Sequence, residues 1–174
     1  AGSLAGSIAA AARARTRTRE LHVRWSEIDA IPCPLAQAMS VIGDSWTLLI
    51  LRDAVRGARK FDEFRRSTDA SRAVIAERLA HLVEHGVMEK VQYEAHPPRY
   101  EYHLTARGRA LQPVMMTMAH WAETQLPKPV RSAGRRHTVC GHRFKPVIAC
   151  SECGEIVTPE TVTFDRSPAL AGSK

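Results

Sequence analysis

Aromatic residues are scarce in this chain, 6% of 174 positions, which argues against an aromatic-lined substrate pocket. No apolar run approaches the roughly 18–20 residues that a membrane-spanning helix needs. A phosphate-cradling glycine loop, a nucleophile elbow and a paired catalytic motif are all missing, so no enzyme is expected. His81, His85, His96, His103 and His120 are read as scattered surface or packing residues without ligand spacing. Cysteine is limited to four positions, Cys33, Cys140, Cys150 and Cys153, three of them crowded into one short segment. A secreted disulfide framework spreads its cysteines along the chain, so the crowding favours a metal instead. At the start, Ala1 to Ile8 and the alanines after it precede the arginines. A secretory signal has the reverse order. A soluble, cytoplasmic protein without a membrane partner is the expectation.

What the chain does have is positive charge. Its 25 Lys and Arg outnumber 18 Asp and Glu, for a formal net charge of +7. Such a balance points to an acidic partner, either nucleic acid or an anionic surface. Hydrophobic residues make up 44% of the chain, enough for a core.

The pattern divides the chain into five parts: a flexible basic arm (1–30), an ordered domain (31–126), a basic linker (127–136), a small Cys/His module (137–165) and a flexible tail (166–174). In the arm, Arg13, Arg15, Arg17 and Arg19 alternate with Ala and Thr, which suits a solvated tail or phosphate contacts. Ordered structure begins near Pro34, where Leu35, Met39 and Ile42 share a helical face that Gly43 ends. Asp44 or Ser45 caps a second helix, from Trp46 to about Val55. It is apolar nearly all round and so must be buried on several sides. After Gly57, a short helix from Phe61 to about Arg66 turns Phe61 and Phe64 inward. Ser71 caps a longer helix with Ile75, Leu79, Leu82 and Val83 as its buried stripe, closed by Gly86. Its opposite face carries Arg72, Ala73, Ala76, Glu77 and Ala80, and small side chains there allow close approach to a groove.

From Val87 the period changes to 2. Two strands are expected, joined by a stiff turn, His96-Pro97-Pro98-Arg99, with Arg99 at its tip. Thr105 then caps one long final helix with Leu111, Val114, Met115, Met118, Trp121 and Ala122 as its stripe, ended by Pro127. The fold class is therefore mainly α with a β-hairpin wing, an α+β winged helix-turn-helix.

Several stretches, in order, resemble the HxlR-type winged-helix regulators. They are Cys33-Pro34-Leu35, Ile42-Gly43-Asp44-Ser45-Trp46-Thr47 with the apolar run after it, Phe61-Asp62-Glu63-Phe64-Arg65, Arg78-Leu79-Ala80-His81-Leu82 and Glu84-His85-Gly86. The wing Pro97-Pro98-Arg99-Tyr100-Glu101-Tyr102 and the closing Leu104-Thr105-Ala106-Arg107-Gly108 complete the match over about residues 33–123. The resemblance implies a bacterial, nucleoid-associated transcription regulator, commonly a repressor. It would be a homodimer joined through its terminal helices and bound to a pseudo-palindromic double-stranded DNA operator. A small-molecule effector is a further possible partner. The implied DNA-facing residues are Ser71, Arg72, Ala73, Ala76, Glu77 and Arg78, with Arg65 and Arg66 on phosphates and Arg99 at the wing. Arg78 could instead brace the wing or pair with an acid. The alternative function is a protein-interaction adaptor, since fold alone does not settle function. Cys33 aligns with a redox-sensing cysteine of some family members. The competing reading is a small residue at a helix entrance.

The Cys/His module departs from the usual length of the family. His137-Thr138-Val139-Cys140-Gly141 and Cys150-Ser151-Glu152-Cys153-Gly154 resemble two zinc knuckles. Four ligands, His137, Cys140, Cys150 and Cys153, would close a structural Zn2+ site, with His142 as an alternative to His137. Reduced thiols in a plain β-appendage, or a Cys150–Cys153 redox pair, fit the same spacing. The neighbouring Lys128, Arg131, Arg135, Arg136, Arg143 and Lys145 show no compensating acid and are expected to be solvated or to add DNA contacts.

Overall fold

The computed structural model describes Ile28, residues 30–130 and residues 134–165. Nearly all of the expected arm, with Arg13, Arg15, Arg17 and Arg19, lies outside the described residues, as do Arg131 and the tail from 166.

The elements follow the expected order: α1 Pro34–Ile42, α2 Thr47–Val55, α3 Phe61–Ser67, α4 Arg72–Glu84, β1 Met88–Glu94, β2 Arg99–Leu104, α5 Ala106–Arg109 and α6 Gln112–Gln125. Proline fixes the first turn of α1, where its missing N–H costs nothing. Asp44 Oδ1 accepts from the Trp46 N–H at 2.8 Å, which caps the entry to α2. Ser71 Oγ accepts from the Val74 N–H and starts α4. At the other end, Gly86 sits at φ +65°, its N–H bonding to Val83 O and that of Val87 to Leu82 O. This paired closure satisfies two orphan carbonyls and reverses the chain into β1.

The core lies where α2, α3, α4 and the base of the hairpin meet. Ile50, Leu51, Ala54, Phe64, Ile75, Leu79 and Leu82 are fully buried, with Val87 and Met88 beside them. Truncating one of the larger ones to alanine typically costs about 2–5 kcal/mol. A buried carboxylate adds direction to this packing. Asp53 on α2 accepts from the Arg52 guanidinium at 2.8 and 3.0 Å and from the Ser67 hydroxyl at the end of α3.

Three expectations need correction. Leu35, expected to share a helical face with Met39 and Ile42, is 71% exposed, whereas Ile42 is buried, and among the described residues nothing covers Leu35. The final helix is two helices. Thr105 caps the four-residue α5, which ends at Arg109, and α6 restarts at Gln112 with proline in its first turn. The break falls just before Pro113, which has no N–H to donate to Arg109 O, so the ladder stops after the Leu111 N–H to Gly108 O bond and restarts with proline in the first turn of α6. Gly108 itself packs closely, and a Cβ there would lie 2.2 Å from Val87 O and 2.9 Å from Leu104 Cδ2. Third, strict inside-outside alternation fails along β1, because beyond Met88 the strand leaves the body and is largely exposed.

β1 and β2 pair antiparallel from Met88↔Leu104 to Gln92↔Tyr100, with a bulge before Glu94↔Arg99. The chain just before α3 joins this sheet through the bridge Lys60↔Glu101 and the bond from Tyr102 N–H to Arg59 O. Phe64 meets Tyr102 edge-on at 6.5 Å. The hairpin is thereby fixed relative to α3 and α4.

Candidate nucleic-acid interface

The helix-turn-helix pair, α3 and α4, and the hairpin frame an open cleft of about 580 Å³. Its rim includes Lys60, Arg66, Arg72, Tyr93, Arg99 and Tyr100. Four cations from three elements thus converge where the sequence placed only separate candidates. Arg65, Arg66, Ser71, Arg72, Ala73, Ala76 and Glu77 are all exposed, so the first two turns of α4 offer a surface of small side chains bordered by cations.

The cations are oriented by their neighbours. The Arg72 guanidinium lies 4.8 Å over the Phe61 ring and 3.8 Å from Asp62, which also pairs with Arg65 at 3.5 Å. Arg66 Nε donates to Asp62 O. Arg99 is the first residue of β2 rather than the tip of the turn, and pairs with Glu94 at 3.2 Å across the bulge. These pairs are exposed, so each contributes little stability and a competing phosphate can displace the acid. Glu63 shapes the site indirectly. Its Oε2 accepts from the backbone N–H groups of Arg59 and Lys60 at 2.7 and 2.9 Å, and these bonds hold its carboxyl below the ordinary range.

Arg78 differs from the rest. Its side chain is 23% exposed, paired with Glu77 at 2.6 Å and directed at Asp44 in the turn before α2, 3.7 Å away. It links α4 to the α1–α2 turn, the pairing alternative to base contact. Lys60 was not singled out in the sequence, because only the bridge to Glu101 places it beside the hairpin. Lys60 and Lys90 lie over the Tyr93 and Tyr100 rings at 5.0 and 4.0 Å, which gives the hairpin its own cationic surface.

Elsewhere, Cys33 is half-buried at the N-cap of α1, where its carbonyl accepts from the Gln37 N–H. In the C-terminal module, His137 Nδ1 lies 3.4 Å from Cys140 Sγ, while His142 meets His137 through its backbone carbonyl. The backbone N–H groups of Cys153 and Glu152, and then the Cys153 thiol, hydrogen-bond to Cys150 and hold its thiol below the ordinary range. One cation expected to lack a compensating acid has one, and a second is tied to the backbone. Arg135 forks onto Glu123 of α6 at 3.1 and 3.4 Å, and Arg136 donates to Gly141 O. The histidines also need correction: the ligand atoms of His81, Glu84 and His85 on α4 lie within 4.8 Å of one another, because positions one helical turn apart share a face.

Among known proteins, the family described as HxlR-like helix-turn-helix matches residues 41–129. The uncharacterized HTH-type transcriptional regulator Rv3095 of Mycobacterium tuberculosis is 36% identical over 137 residues, 78% of this chain and 87% of that one. The crystal structure of the candidate transcription factor PA1607 superposes with a TM-score of 0.69 at 33% identity, covering 80% of this chain and 98% of that one. The reduced form of the redox regulator HypR is similar at a TM-score of 0.50 and 30% identity, over 53% of this chain and 92% of that one.

Proposed function

Because the chain belongs to the HxlR-like helix-turn-helix family, we propose that it is a transcriptional regulator that binds double-stranded DNA as a homodimer, acting as a repressor. The observation that carries this reading is the convergence of Lys60, Arg66, Arg72 and Arg99 around the exposed start of α4. The small residues Ala73 and Ala76 let α4 enter a major groove. Ser71, Arg72 and Glu77 then face base edges, while Arg65 and Arg66 hold the backbone on one side. Lys90 and Arg99 on the hairpin, and Lys60 in the segment bridged to it, hold flanking phosphates. Arg78 serves as the brace that keeps α4 in register with the α1–α2 turn.

The dimer forms through α1 and α6. Leu35 on α1 and Val114, Met118 and Trp121 on α6 are exposed apolar side chains among the described residues. Two copies related by a two-fold axis would present their α4 helices to half-sites about 34 Å apart, one helical turn of DNA. Cys33, half-buried beside this surface, is the position from which oxidation would alter the dimer, and HypR, a redox regulator by name, is similar in fold.

The test is selection from a randomised duplex library by the purified chain, then titration of the selected and scrambled duplexes across a salt series. The reading predicts a selected sequence with two-fold symmetry and a complex that outlasts the scrambled one as salt rises. Equal, salt-labile binding to both duplexes would overturn it in favour of a protein-docking adaptor. For Cys33, the selected complex is compared with and without a thiol oxidant. Loss on oxidation that Cys33→Ser abolishes supports the sensor, and equal loss in both removes it.

A further inference from the structure

The C-terminal module consists of one backbone unit built twice. His137 N–H bonds to His142 O and Cys150 N–H to Glu155 O, both at 2.9 Å. Gly141 N–H returns to His137 O at 2.8 Å and Gly154 N–H to Cys150 O at 2.9 Å. Phe144 N–H bonds to Arg135 O and Val157 N–H to Ile148 O. The bridges Arg136↔Arg143 and Ala149↔Ile156 complete the two sets. Every pair is offset by thirteen positions (137 to 150, 141 to 154, 144 to 157). Gly141 and Gly154 stand at φ +71° and +75°, the left-handed turn that brings residues i and i+3 to the same side. In each unit those two residues are a ligand pair: His137 with Cys140, and Cys150 with Cys153.

Two such hairpins need something to hold them, and burial does not supply it. Val139, Val147, Ile148 and Ile156 are between 55% and 86% exposed, and among the described residues the buried core ends at Leu104. A folded unit this small without a core requires a staple. The four cysteines of the chain are free thiols. We propose that His137, Cys140, Cys150 and Cys153 bind one structural zinc ion, with His137 rather than His142 as the nitrogen ligand. The donors are already adjacent within each pair: His137 Nδ1 lies 3.4 Å from Cys140 Sγ, and the Cys153 thiol hydrogen-bonds to Cys150. A tetrahedral ion at about 2.3 Å from sulfur and 2.0 Å from nitrogen draws the hairpins together and closes the module. With four protein ligands the site has no open position, so it is structural rather than catalytic.

The experiment uses the full chain purified in reducing buffer. Zinc is measured by elemental analysis, and cobalt(II) is titrated into the chelated protein. The expected result is about one zinc per chain and the visible bands of tetrahedral cobalt with thiolate ligands. Cys153→Ser and His137→Ala lower zinc affinity by more than about 100-fold, the upper end of what even an outer partner costs. His142→Ala leaves it unchanged, and the helical circular dichroism of all three variants stays that of the wild type. Three results would each overturn the proposal: a reduced wild-type chain that takes up no zinc, zinc retained by Cys153→Ser but lost in His81→Ala, or loss in His142→Ala with retention in His137→Ala.

Discussion

At the scale of single residues, the arginines divide by what surrounds them. Arg72 and Arg99 carry exposed, weakly held partners, whereas Arg78 is largely covered and spans two elements. Arg72→Ala and Arg99→Ala should each weaken binding to selected and scrambled duplex alike and reduce the salt slope by about 1, as loss of one phosphate contact does. If Arg72 reads a base, its loss also relaxes the selected sequence at that position. Arg78→Ala should instead lower folding stability by about 1 kcal/mol and leave the salt slope unchanged, measured by urea denaturation beside the DNA titration. Glu63 contributes a pH dependence. Its carboxyl is held below the ordinary value by two backbone N–H bonds, so the folded state favours the ionised form. That stability is present above the unfolded value, about 4.3, and is lost as pH falls below it through the lowered folded value. Glu63→Gln keeps an acceptor without the charge. The gap in melting temperature between wild type and Glu63→Gln should be widest near neutral pH and close in acid.

At the scale of elements, the hairpin and α5 depend on one close approach. Gly108 lies against the carbonyl of Val87, and Thr105 ties the same point together by donating to Gly86 O at 2.7 Å. Gly108→Ala pushes a methyl group into backbone that cannot yield, and should cost about 1–3 kcal/mol by thermal denaturation. Because this joint sets the angle between the hairpin and α4, the surviving folded fraction should also bind DNA less tightly. The break between α5 and α6 has a local cause. The sequence suggested one helix because Thr105 and the stripe from Leu111 to Ala122 are each sound helical signals. Pro113, which has no N–H for Arg109 O, decides that they belong to two.

At the scale of the whole molecule, α1 and α6 present apolar surface, α4 and the hairpin present cations, and the C-terminal Cys/His module is tied to α6 by Arg135 and Glu123. Trp121 is 59% exposed and lies near the end of the α6 stripe. The proposed dimer through α6 predicts that Trp121→Glu gives a monomer by light scattering where the wild type gives a dimer. It should also abolish binding to a two-half-site duplex, while weak, salt-labile binding persists. A dimer that survives the substitution would place the interface elsewhere.

The sequence by itself determined the local structure. Ser71 caps a helix, Gly86 ends it and the alternating strand leads to a proline turn, because these signals act over a few residues of backbone. The run of matching motifs from Cys33 to Gly108 carried the family for the same reason. The two Cys/His segments and their thirteen-residue offset were legible as spacing, and the hydrogen bonds add that the backbone of each follows the same course. Tertiary structure decided which side chains are free. Arg78 and Arg72 are both arginines on α4, and tertiary neighbours separate them: Arg78 is largely covered and faces Asp44, whereas Arg72 stays exposed over Phe61. Arg135 seemed to lack an acid until folding brought it to Glu123. Lys60 joined the cleft through a bridge to Glu101. In each case the deciding partner lies on another element, and pairing of that kind is fixed by packing, which local pattern does not encode.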